Sequence, residues 1–349
     1  MHLRSIEYFR GIAIVLIVAG HCYSLSNWQF PSILERSLAN ILTGGTALFV
    51  FISGFLFHHV FYPRFQFRPF MAKKIRNVLS PYLFFSLFGI SYALIMQGPY
   101  PEFFFGPGDS SHDRFVRPAL LYLLTGAELW AYWYIPFIMI IFALSPLFIL
   151  YIKAGPGLRL CVFAVSLLLA MMVQRPVDNL LVPQLVLFYV PVYLAGIFIS
   201  QNKEELLLYL EKRAGLLFLG VVMLACIQAL IYAGAGSMHA PLFVWNGLDI
   251  NIVQKILLSL LFMIFLHRFE SKCIPVLSSL AQASFAIFFI HCSIILALMP
   301  ILPPVYTAMN LHPLLALVLS TALVLALSYQ VSRLIRRIFP RQSRLLIGW

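Results

Sequence analysis

Apolar runs of sixteen to twenty-one residues recur along the whole chain, separated by short charged or Pro/Gly-rich stretches. Ten can be distinguished: 10–27, 39–59, 78–97, 133–152, 158–173, 185–200, 214–233, 252–268, 281–301 and 313–332. A helix needs about 17 to 25 such residues to cross the hydrocarbon layer of a bilayer. The pattern therefore predicts an all-α fold, a polytopic membrane helix bundle with about ten transmembrane helices. It reads as a single membrane domain over 1–349 with a short basic tail at 333–349, and no soluble domain remains between the runs.

Composition agrees. Of 349 residues, 62% are hydrophobic and 10% charged, more apolar surface than a soluble fold of this size buries. Arg4 and Arg10 stand ahead of an apolar core as in a signal peptide. However, Glu7 stands among them and no small-x-small cleavage site follows, so an uncleaved first helix is expected. The net charge of +12 reflects topology. With ten helices and both termini cytoplasmic, nineteen of the 24 Lys and Arg residues fall on the inner side, as the positive-inside rule requires. This argues for anionic lipid contact and against nucleic acid. The five cysteines are scattered, in no metal or disulfide spacing.

Against this background the polar residues within the runs stand out. Arg10 and His21 are eleven positions apart, which places them on one face of a helix and separates them by roughly 16 Å. With Arg10 at the membrane edge, His21 lies near mid-depth, where an ionisable group is costly and marks function. His291, in SFAIFFIHCS, lies at a comparable depth in the ninth run, with Ser284 seven residues earlier on about the same face. Ser53 and Gly54 sit in FVFISGFLF; Gly54 suits close helix packing.

Two segments read as non-helical. The inner one, HHVFYPRFQFRPFMAKKIRNVLSPY, interleaves Lys73, Lys74 and Arg76 with aromatics. It is either a headgroup anchor or a cradle for an anionic ligand such as a nucleotide diphosphate. The outer one, 98–132, holds Glu102, Asp109, Asp113 and Glu128 and leads into ELWAYWYIPF. Its Glu128, Trp130, Trp133 and Tyr134 form either an aromatic belt or a sugar-binding face. The chain has no Gly-x-Ser-x-Gly elbow, no HExxH and no paired-Cys site, so neither an ordinary hydrolase triad nor a metal is expected. No acidic residue lies deep in a run and no polar stripe lines one, which argues against proton-driven transport and channels.

The ordered set RGIAIVLIVAGH, FVFISGFLF, a basic run closing on PYLF, WYIPFIMIIFALSPLF and SFAIFFIH resembles acyltransferase family 3 of integral-membrane proteins, over nearly the whole chain. The resemblance implies an O-acyltransferase of the bacterial plasma (inner) membrane. Its donor would be a cytoplasmic acyl-CoA, usually acetyl-CoA, and its acceptor a surface or exported polysaccharide. The lipid bilayer and proteins of polysaccharide synthesis or export would be its partners. The family's first-helix Arg/Lys-x10-His corresponds to Arg10 and His21, its Ser-Gly segment to Ser53 and Gly54, and its late histidine to His291. Of its paired basic residues before the helix-three proline, Lys73 and Arg76 keep the interval but sit one place early relative to Pro81, whereas Lys74 and Asn77 occupy the expected places. The expected chemistry has His21 as general base, Arg10 and the basic cluster on the donor phosphates, and Ser53 or a backbone N–H near Gly54 on the oxyanion. Two other classes are compatible with ten helices: a polysaccharide exporter or flippase, and a structural partner in a synthase complex.

Overall fold

The computed structural model describes residues 3–349 except 97 and 109; Asp109 of the outer segment therefore lies outside the described residues. Among the described residues the protein is all-α, and the one β contact is an isolated parallel bridge between Arg175 and His239. Among the described residues helices occupy most of each of the ten apolar runs, and the run 39–59 is interrupted at Thr43 and Gly44. Among the described residues seven spans are long and apolar enough to cross a membrane, and an eighth is formed if Tyr134–Ala143 and Ser145–Lys153, bent by 53° at Leu144, make one crossing. The other two runs fall short for identifiable reasons. Helix α1 (Arg4–His21) carries Arg4, Glu7 and Arg10 in its first two turns, and the helix Asn251–His267 is only 17 residues long.

Burial sorts the helices into layers. Val182–Gln201 is 78% buried over its apolar window and forms the centre, whereas only 6% of the Pro156–Val173 window is buried. The latter exposes Leu158, Leu160, Val165 and Leu168, as a lipid-facing helix does. Next to the central helix lies α2 (Gly45–Leu56). Here a Cβ on Gly54 would run into the Tyr193 carbonyl, and one on Gly196 into the Phe51 carbonyl. Two glycines on facing helices thus let the backbones touch, which bears out the packing role read for Gly54.

Both segments read as non-helical are largely helical. The inner one continues from α2 through a π-turn (Phe57–Phe61), a 3-10 turn (Tyr62–Arg64), α3 (Phe67–Lys74) and a second π-turn (Ile75–Leu79) into α4 (Ser80–Met96). The prolines of this stretch fit the helices because Pro63 and Pro69 lie in first turns and Pro81 follows the π-turn, whose wider hydrogen bonds need no N–H there. In the outer segment, Arg117–Thr125 forms a helix that ends at Gly126, whose φ of 71° and contact with the Tyr132 backbone no side chain would tolerate. The first residues of the basic tail are helical. The last long helix, Pro313–Ile338, carries Arg333, Arg336 and Arg337.

Candidate functional site

α1 runs alongside α5 (Pro275–Leu298) in the same direction. Gly11 makes the close approach, because a Cβ there would lie 2.7 Å from the Leu277 carbonyl oxygen. Two polar rungs tie the pair together: Arg10 Nη2 donates to Ser284 Oγ at 3.1 Å, and His21 Nδ1 meets His291 Nε2 at 2.8 Å. Both α1 side chains therefore face α5, as their spacing predicts. The guanidinium lies further along the pair than the Gly11 contact. It reaches along the helix to Ser284, seven residues beyond Leu277, because Ser284 and the cavity beside it offer polar partners.

The histidine pair has a defined tautomer. His291 Nδ1 lies 3.1 Å from the Ile287 carbonyl, which only accepts, so Nδ1 carries hydrogen and Nε2 of the neutral ring does not. His21 Nδ1 must then donate to His291 Nε2, which leaves Nε2 of His21 with its lone pair. The ring planes lie within 12° of one another with centres 5.1 Å apart, so the two rings meet edge to edge through this hydrogen bond. Cys292 Sγ lies 3.5 Å from His291 Nε2, so three metal-type donor atoms fall within 4.8 Å of one another. The 2.8 Å between the nitrogens is a hydrogen-bond separation; two ligands of one tetrahedral zinc stand about 3.3 Å apart at ordinary bond lengths.

Two cavities flank this pair of helices. One, about 180 Å³, lies at the Arg10 end and is lined by Arg10, Ser53, Lys74, Tyr134 and Ser284 among apolar groups. The other, about 460 Å³, lies at the His21 end and is lined by His21, Thr43, Gly44, Thr46, Trp130, Trp133, Arg175 and Asn179. Ile17 lines both cavities. It sits one turn before His21 on the same face and is wedged against Gly45, where a Cβ would come within 2.9 Å of it.

The predicted residues divide between these places. Arg10, Ser53, Lys74 and Tyr134 share the smaller cavity. Lys74 Nζ lies 4.2 Å from the Phe142 ring centre and 4.5 Å from that of Phe61. Lys73 and Arg76 are exposed on the other side of that helix. His21, Trp130 and Trp133 share the larger cavity. Glu128 lies apart from both. It is buried under α4, where its Oε1 accepts from Ser86 Oγ at 2.5 Å while Oε2 has no partner, and burial raises its carboxyl pKa to about 7.

Sequence reasoning missed three features. Arg175 stands in the sequence as a lone cation between two apolar runs, yet it lines the larger cavity. Lys255 Nζ donates to the Asn40 and Ile41 carbonyls at 2.6 and 3.1 Å and so supports the turn at Gly44 beneath that cavity. A lone lysine opening an apolar run was its only signal. Finally, Arg333, Arg336 and Arg337 surround a groove of about 800 Å³ with Tyr329, Trp349 and Gln282. Gln282 adjoins the Arg10 end of the site through a 3.4 Å bond to Glu7.

No curated protein and no solved structure matches this chain. A family model described as an acyltransferase domain matches residues 3–333, nearly the whole length, including both rungs and both cavities. The chain belongs to acyltransferase family 3 and is a membrane acyltransferase.

Proposed function

We propose that this enzyme moves an acetyl or other short acyl group from cytoplasmic acyl-CoA to a hydroxyl of a surface or exported polysaccharide, with His21 as general base. The observation that carries this reading is the pair of cavities meeting at Ile17, one lined by Arg10 and the other by His21. Donor and acceptor then reach one reaction centre from opposite faces. The net positive charge at the Arg10 end supports placing that end in the cytoplasm.

In this mechanism the thioester enters the smaller cavity. Its nucleotide phosphates rest on the basic groups outside it, Lys73, Arg76 and the Arg333–Arg337 groove, while Arg10 and Lys74 hold the inner part. The acceptor hydroxyl gives its proton to His21 Nε2, attacks the thioester carbonyl, and CoA leaves as the thiolate. His291 fixes the imidazole tautomer and, by accepting from Nδ1, stabilises the imidazolium formed as His21 is protonated, in the place that the carboxylate holds in a hydrolase triad. Arg10 and Ser53 face the region where oxyanion charge develops.

The test uses reconstituted protein with labelled acetyl-CoA and polysaccharide acceptor. Wild type should release CoA and form an alkali-labile ester, and His21→Ala should form none while remaining inserted and monodisperse. A deletion strain should secrete polymer without the ester. Unchanged ester and lost polymer secretion would instead identify an exporter, and normal transfer by His21→Ala would remove the base role.

A further inference from the structure

We propose that the acceptor bears an acidic group, a carboxylate or a phosphate, and that Arg175 receives it beside His21. This rests on the acyl-transfer reading above, whose acceptor occupies the larger cavity. Among the residues lining that cavity Arg175 alone carries a fixed charge, and none is a carboxylate.

The cation is built in. The Arg175 backbone N–H donates to Met238 at 3.0 Å, its carbonyl accepts from Ala240 at 2.9 Å, and together these make the single β-bridge. Its side chain is held as firmly. The guanidinium carbon lies 4.9 Å from the Trp133 ring centre, and Nη2 donates to Asn179 Oδ1 at 2.6 Å. Nε is buried with no partner. Asp249, the acid that feels Arg175, is committed elsewhere, accepting from the Met238 and Asn251 N–H groups at 2.9 and 2.8 Å. Among the described residues no carboxylate reaches ion-pair distance of Arg175. The guanidinium thus lines the cavity with a neutral hydrogen-bond partner and no carboxylate to balance its charge.

The surroundings also favour negative charge. The helix Gly45–Leu56 begins at the cavity without a side-chain cap, and Gly44, Gly45 and Thr46 all line the wall. The segment that presents Arg175 holds Gln174, Asp178 and Asn179 at φ of 58°, 52° and 60°, three left-handed non-glycine residues in six positions. A neutral sugar gains little from such a site. A planar oxyanion gains charge-assisted bonds to the fork, while Trp130 and Trp133 take the sugar's apolar face.

The experiment compares matched acceptors in the reconstituted full-length enzyme: a uronate-containing oligosaccharide against its carboxyl-reduced form, and a glycosyl phosphate against the free glycoside. Wild type should favour the acidic member of at least one pair about tenfold or more in kcat/KM, and that pair identifies the oxyanion. Arg175→Gln should collapse the ratio to about one, and Arg175→Lys should keep part of it. Equal use of acidic and neutral acceptors by wild type overturns the proposal, as does a preference that survives Arg175→Gln. A binding arm without donor separates the two readings. Quenching of tryptophan fluorescence by glucuronate but not glucose, lost in Arg175→Gln, sustains this proposal even if no acceptor is acylated; equal binding of both sugars sinks it.

Discussion

His21 Nδ1 and His291 Nε2 lie 2.8 Å apart, and the Ile287 carbonyl beneath His291 dictates which of them carries the hydrogen. The consequence is directional. His21 presents a lone pair at Nε2 only as long as His291 accepts from its other nitrogen.

Replacing His291 should therefore impair the base without removing it. His291→Leu leaves the Nδ1–H of His21 unpaired and frees the tautomer, and transfer should fall about 10²-fold or more. His291→Gln, whose side-chain oxygen can accept from Nδ1, should recover much of this. Rates of CoA release for the two variants over a range of pH check the order; equal losses would mean that His291 acts only by packing.

Ile17 separates the cavities, so its size should govern traffic between them. Ile17→Phe should block acyl transfer while leaving binding of a non-hydrolysable acyl-CoA analogue intact. Ile17→Ala should admit longer acyl chains and raise donor hydrolysis without acceptor, measured as CoA release per ester formed.

The α2 crossing over the central helix has no room for a methyl group. Gly54→Ala and Gly196→Ala should each lower the midpoint of thermal unfolding in detergent, with overpacking costing about 1–3 kcal/mol. The double variant should cost less than the sum, because separating the helices once relieves both contacts.

α1 has no side-chain cap of its own. Glu270, on the loop before α5, supplies one by accepting from the Arg4 and Ser5 N–H groups at 2.7 and 2.9 Å. Partial burial raises its pKa, but the bonds from Ser5 and Arg4 outweigh this and hold the carboxyl below its ordinary value. A depressed folded-state pKa gives stability that is full above the unfolded value of about 4.3 and lost as pH falls through the folded one. Glu270→Gln should thus cost up to about 1 kcal/mol at pH 7, discounted for solvent screening, and little in acid. Unfolding midpoints at pH 7 and pH 3.5 test this.

Much of the site could be read in the linear order. Arg10 and His21 share a face because eleven helical steps return almost to the starting angle, and Ser284 and His291 do so because seven steps nearly complete two turns. A mid-membrane histidine is costly enough to be informative by itself. The basic segment before Pro81 was legible in composition but not in conformation. Prolines in first turns and beside a π-turn look like breaks in sequence and continue as helix, and only the helix phase turns Lys74 inward and Lys73 and Arg76 outward. Glu128 and Trp130 are two residues apart in ELWAYWYIPF, yet one is buried under α4 and the other lines the cavity. That segment has no regular period from which a face could be read.

The sequence by itself determined the membrane setting, the all-helical class and the Arg10 and His21 pair, because hydrophobic length and helical period are local properties of the chain. Only the tertiary structure decided that His291 meets His21, that Ile17 divides two cavities, and that Arg175 shares a cavity with His21. Each depends on residues at least 100 positions apart in the chain, such as Ile17 with Tyr134 or His21 with His291, and is set by how packed helices cross.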